Sequence, residues 1–161
     1  MSVVAPKPVV SAWNAGFYEG ARRGELAAQR CRHCGQLIYY PRICCPLCLA
    51  PDLSWEALSG LGTIYSFSVV WHAQNAAFKN QLPIVLVIID LQEGLQMASS
   101  LVDCAPSDVR IGSPVSVVCE PLDEVVALPR FRLMQPEGVV DDRGGGSSDR
   151  RGAAAKGEKE G

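Results

Sequence analysis

Apolar and polar positions along this chain of 161 residues change their period twice. In "VSAWNAGFYEGARRGEL", residues 10–26, Trp13, Phe17 and Ala21 recur at i, i+4 and i+8. That spacing predicts a short amphipathic helix, with Ser11 as candidate N-cap and Gly24 as its stop. From Gly62 the period falls to two. "GTIYSFSVVWH" alternates, "PIVLVIIDL" is a fully apolar strand, and "LQMASSLVD", "SPVSVVCEP" and "ALPRFRLM" follow, separated by the turn signals "QEG", "APSD" and "PLDE". Five short strands in succession predict a small Greek-key barrel of the OB type, with a short sandwich as the alternative. The segment "WHAQNAAFKNQLP" is the longest loop between them, and long loops on compact barrels are where binding concentrates.

Two terminal stretches lack either period. Pro6 and Pro8 make residues 1–9 an extended arm, and from Gln135 onward glycine, serine and balanced charges without aromatics predict a flexible tail. The expected organisation is therefore an arm and docking helix over 1–24, a cysteine-bearing ribbon over 25–52, the barrel over 53–135 and the tail over 136–161. The fold class is mainly β.

The segment "CRHCGQLIYYPRICCPLC" holds five of the seven cysteines. Cys31 and Cys34 are two residues apart, as are Cys45 and Cys48, and ten residues separate the pairs. Two such knuckles let four thiolates converge on a tetrahedral metal. Gly35 suits the turn after the first knuckle, whereas Leu49 stands where the second would favour glycine. Cys44 is left as a spare thiol, because Cys45 repeats the first knuckle's spacing; Cys104 and Cys119 are expected to pack as small apolar residues. A four-thiolate zinc site is closed, hence structural; iron in the same cage would carry an electron. Zinc is favoured, since no redox partner site is evident.

A composition that is 48% hydrophobic supports a real core. The longest apolar run, Ile84 to Ile89, is strand-sized, which argues against a membrane span. The opening "MSVVAPKPVVSAW" lacks the pattern of a secretory signal, so a reducing cytoplasm is the expected compartment. The net charge of −2 is unevenly spread. Arg22, Arg23, Arg30, Arg32 and Arg42 stand against Glu25 alone around the cysteines, while the barrel is acidic. An acidic barrel argues against a nucleic-acid footprint.

Catalytic groupings are scarce. His33 and His72 are the only histidines, no dinucleotide or phosphate-loop fingerprint is present, and Asp90 with Glu93 flank a turn where carboxylates are normally solvated. No catalytic residue is assigned, and a binding or assembly module is the better reading.

Taken together, "FYEGARRGEL", "QRCRHCG", "YPRICCPLC", "SGLGTIYSFSVV", "LPIVLVIIDLQEG" and "VRIGSPVSVV" resemble the bacterial and archaeal proteins, long called a domain of unknown function, that join a rubredoxin-like zinc ribbon to a C-terminal OB-fold. The match runs from about Trp13 to Met134; Leu49 and Tyr40 depart from it. The resemblance implies an accessory subunit of an acyl-CoA enzyme, docked on a thiolase-fold partner such as a thiolase, acyltransferase or steroid side-chain aldolase. The catalytic groups would lie in that partner. On this reading Arg22, Arg23, Arg30, Arg32 and Arg42 are candidates to contact CoA phosphates or the partner, with a solvated basic face as the plain alternative. Trp13, Phe17, Tyr18, Trp71 and Phe78 are candidate partner anchors, with packing inside the fold as theirs. A single-stranded nucleic-acid binder is the competing class.

Overall fold

The computed structural model describes residues 6–134. The expected extended arm over 1–9 therefore falls partly outside the described residues, and the flexible tail over 136–161 wholly so.

The predicted helix forms as α1, Ala15–Arg22, a turn later than Ser11 would start it. Asn14 sits at the N-cap position, and its side chain turns back to accept from the Ser11 N–H (2.7 Å) and donate to the Val9 carbonyl (3.1 Å). Ser11 contributes its carbonyl instead, to the N–H groups of Asn14 and Ala15. An Asx side chain bonding locally outcompetes the serine. Gly24 ends the helix with φ at 82°. Its N–H reaches the Ala21 carbonyl and the Glu25 N–H reaches that of Gly20, the paired bonds of a Schellman stop.

The cysteine region carries strands β1 (Leu26–Cys31), β2 (Leu37–Ile38) and β3 (Leu53–Leu58) in one antiparallel sheet of order β2-β1-β3. β3 lies beyond residue 52, and its pairing along all of β1 joins it to the ribbon.

The alternating segments form β4 (Leu61–Val70), β5 (Ile84–Leu91), β6 (Gln96–Leu101), β7 (Pro114–Pro121) and β8 (Ala127–Leu133). They close as a barrel of order β4-β5-β6-β8-β7, with β7 returning to β4, so the OB-type barrel stands over the sandwich. Alternation explains the closure: Val85, Val87, Ile89 and Leu91 point inward beside Ile64, Met97, Leu101, Val115 and Phe131, all buried in one cluster. Phe17 of α1 and Leu26 of β1 join this cluster, so the helix and ribbon are packed onto the barrel rather than strung beside it. The long loop holds a 3₁₀ turn over Ala76–Gln81, capped by Asn75 accepting from the Ala77 N–H at 3.0 Å.

Candidate functional site

The two knuckles are built alike. The Gly35 N–H returns to the Cys31 carbonyl and the Leu49 N–H to that of Cys45, each at 2.9 Å; the Cys31 N–H meets the Gln36 carbonyl and the Cys45 N–H that of Ala50, again at 2.9 Å. Gly35 takes φ at 76°, and Leu49 takes 61° in the equivalent place despite its Cβ. These turns bring the four sulfurs of Cys31, Cys34, Cys45 and Cys48 within 4.8 Å of one another. The Cys31–Cys48 and Cys34–Cys45 sulfurs are 3.6 Å apart. A tetrahedron with metal–sulfur bonds of about 2.3 Å has edges of about 3.8 Å, close to these two, so the cage has the size that zinc takes.

Electrostatics agree with a cation there. N–H groups of Cys48 and Leu47 stabilise the Cys45 thiolate and lower its pKa to about 7. At Cys48 the Ala50 N–H acts in the same sense, yet burial and the sulfurs of Cys34, Cys31 and Cys45 push the thiol up to about 12. Four thiolates crowd one another unless a metal offsets their charge. Cys44 stays outside the cluster.

A second feature lies where helix, ribbon and barrel meet. A partly open cavity of about 780 Å³ has the outer face of β5, β6 and β8 as its floor (Leu86, Ala98, Leu128, Arg130). Trp13, Phe17 and Tyr18 form one wall, the ribbon segment Tyr39–Arg42 another, and Phe78 of the 3₁₀ turn closes a side. Burial pushes the phenol pKa values of Tyr18 and Tyr39 up, so both hydroxyls stay protonated. Gln29, buried on β1, fixes this geometry. It accepts from the Arg42 N–H at 2.6 Å, donates to the Arg42 carbonyl at 3.0 Å, and reaches the Trp13 carbonyl at 3.3 Å.

Of the candidate anchors, Trp13, Phe17, Tyr18 and Phe78 thus share this cavity, with Phe17 also in the core, while Trp71 stands apart and 61% exposed. The arginines are dispersed. Arg30 is forked onto Glu56 and the Gly35 carbonyl, Arg23 pairs with Glu25 and Arg32 approaches Asp52 at 3.8 Å. Among the described residues Arg22 and Arg42 have no carboxylate within 4.0 Å, and only Arg42 of the five lines the cavity. Arg130 also lines it, paired with Glu120 and donating to the buried Ser100 hydroxyl. Sequence reading passed over Gln29 and Arg130 because only strand register shows what they face.

The carboxylates by the β5–β6 turn are occupied. Asp90 accepts from Gln96 at 2.9 Å, and Glu93 accepts from the Ser59 N–H at 2.6 Å. Burial works against Glu93 ionising, but the Ser59 hydrogen bonds prevail and hold its pKa below the usual range. A carboxylate so held is a poor general base near neutrality.

Known proteins share this architecture. Residues 19–54 match the family described as the ChsH2 rubredoxin-like zinc ribbon domain, and residues 55–120 match the ChsH2 C-terminal OB-fold domain. A probable enoyl-CoA hydratase alpha subunit of Thermomonospora curvata is 34% identical over 132 residues, which are 82% of this chain and 41% of that protein. The chain thus spans about two fifths of that relative. A DUF35 domain-containing scaffold protein of Methanocaldococcus jannaschii is 39% identical over 100 residues, 62% of this chain and 70% of that one. Among solved structures, a chain of the Ltp2-ChsH2(DUF35) aldolase superposes with a TM-score of 0.70 at 34% identity, covering 79% of this chain and 98% of that one. With ribbon and barrel both matched, and the four-sulfur cage intact within the ribbon, the chain belongs to the DUF35 family of ChsH2-type zinc-ribbon and OB-fold proteins.

Proposed function

We propose that this protein is a non-catalytic scaffold subunit of a thiolase-type acyl-CoA complex, docking on the catalytic subunit and helping to form the acyl-CoA site. The observation that carries this reading is the likeness to the Ltp2-ChsH2(DUF35) aldolase chain, which this chain covers almost end to end. Relatives named as a scaffold protein and a hydratase alpha subunit support an assembly role. The chain's own chemistry supports it too. The four cysteines form a closed cage, and closed tetrahedral thiolate sites brace structure rather than bind substrate. The carboxylates by the β5–β6 turn are engaged in hydrogen bonds.

On this reading Trp13, Tyr18, Trp71 and Phe78 offer aromatic surface to the partner, with Phe17 anchoring the helix beneath them. Arg22 and Arg42, which have no acidic partner among the described residues, are the arginines best able to bind CoA phosphates. Arg23, Arg30 and Arg32 would first have to leave Glu25, Glu56 and Asp52. The thiolate cage suits a reducing cytoplasm.

The test is acyl-CoA turnover by this chain alone, by a thiolase-fold partner alone and by the two together. The scaffold reading expects activity to require the partner and to rise when this chain is added. Turnover by the isolated chain overturns it.

A further inference from the structure

We infer that the cavity between α1, the ribbon and the barrel is a binding site of this chain's own for a bulky, mostly apolar molecule carrying a neutral carbonyl oxygen, with Arg130 as the group that selects for that oxygen. The inference goes beyond a scaffold role, because the site needs no partner residue.

Three observations carry it. The first is size and character. About 780 Å³ lined by Trp13, Phe17, Phe78, Leu86 and Leu128 is in the range that encloses a drug-sized ligand, and it lies at a junction of structural units, where such sites concentrate.

The second is the placement of one cation in that apolar floor. The Arg130 side chain is only 21% exposed. Its Nε pairs with Glu120, and its Nη1 donates to the hydroxyl of Ser100, itself buried. Glu120 approaches Nε as an ion pair, off the line of a good hydrogen bond. The guanidinium is thus fixed from two sides, and its plane is set before any ligand arrives. A preorganised donor in an apolar surround is how small-molecule sites fix orientation.

The third is charge. Glu120 already offsets the Arg130 charge. An anion at Arg130 would face that carboxylate and would have to shed its own water, so the pair suits a phosphate or carboxylate poorly. The cavity's other cation, Arg42, is exposed on the ribbon side and does not set the chemistry of the floor. A ketone, ester or thioester oxygen accepts a hydrogen bond without that cost. Register makes the arrangement: Val118 lies opposite Arg130 across β7 and β8, which leaves Glu120, two residues on, as the diagonal neighbour on the same face.

The test uses the zinc-loaded full chain and prodan, a propionyl-naphthalene fluorophore whose emission shifts to the blue in apolar surroundings, beside its analogue with propyl in place of propionyl. Saturable binding of one prodan per chain with a blue shift is expected. Arg130→Met should weaken prodan about tenfold, the worth of one hydrogen bond to a charged donor, and leave the propyl analogue unchanged. Ala98→Trp, at an exposed position of the floor, should block both probes. No saturable binding, or equal effects of Arg130→Met on both probes, overturns the inference. Should Arg130→Met fail to fold, Ala98→Trp and the wild-type preference for prodan over its analogue still decide it. None of these outcomes bears on whether a thiolase-fold partner binds.

Discussion

At Leu49 a side chain that favours φ below zero sits at 61°, because the second knuckle needs the turn that Gly35 makes in the first. The left-handed region costs a residue with a Cβ roughly 1–2 kcal/mol, and Leu49 recovers little by burial at 73% exposure. Leu49→Gly should therefore stabilise the zinc-loaded protein by about 0.5–1 kcal/mol after glycine's greater unfolded-state entropy is counted, read from the denaturant midpoint. A lower midpoint would mean that Leu49 is held by packing. The ligands make a sharper case. Cys45→Ser should abolish stoichiometric zinc and melt the ribbon, whose small core consists largely of the ligand cysteines with Ile38 and Leu53, while Cys44→Ser should keep one zinc per chain by elemental analysis. The convergence of these four cysteines was legible in the sequence because knuckle spacing encodes it directly.

Elements were legible where burial is one-sided. The five barrel strands fall where short apolar or alternating runs predict them; burial alternates most clearly along β5 and β8, which turn one face to the core and one outward, whereas β7 is half-buried along most of its length. β1, "LAAQRC", escaped notice because nearly every position is buried, with α1 packed against the ribbon, so no period of two survives. Within it, Gln29 ties β1 to the Arg42 and Trp13 backbones. Gln29→Leu should leave the part-buried backbone groups of Arg42 and Trp13 without their partner and cost about 1 kcal/mol, measured by urea unfolding, with quenching of Trp13 fluorescence altered in the folded state. The β7–β8 connection offers a pH test. Lys7 at 2.7 Å, then the N–H groups of Val126 and Val125, lower the Asp123 pKa to about 2. A folded-state pKa below the unfolded value of about 3.9 adds stability above that value and loses it as pH falls towards 2. The stability gap between wild type and Asp123→Asn should thus be full at neutral pH and close between about pH 4 and pH 2; a gap constant across that window would contradict the Lys7 contact.

For the whole molecule, the sequence conveyed the order of parts but not how they meet. Phe17 and Leu26 share the barrel's core cluster, and that packing creates the cavity from residues as far apart as Trp13 and Arg130. No periodicity encodes such a junction, because its lining comes from five segments of the chain brought together only by register and closure. The same junction places Trp13, Phe17, Tyr18, Phe78 and Arg42 on one side of the molecule, where a scaffold would present them together, with Trp71 apart from them. The central claim is that this side meets a thiolase-fold subunit. It is tested most directly by isolating the tagged chain at native expression and determining the mass and composition of its assembly by native mass spectrometry. A stable heteromer whose second polypeptide has a thiolase fold is predicted; the 17.3 kDa chain recovered alone, or only with copies of itself, would contradict the account.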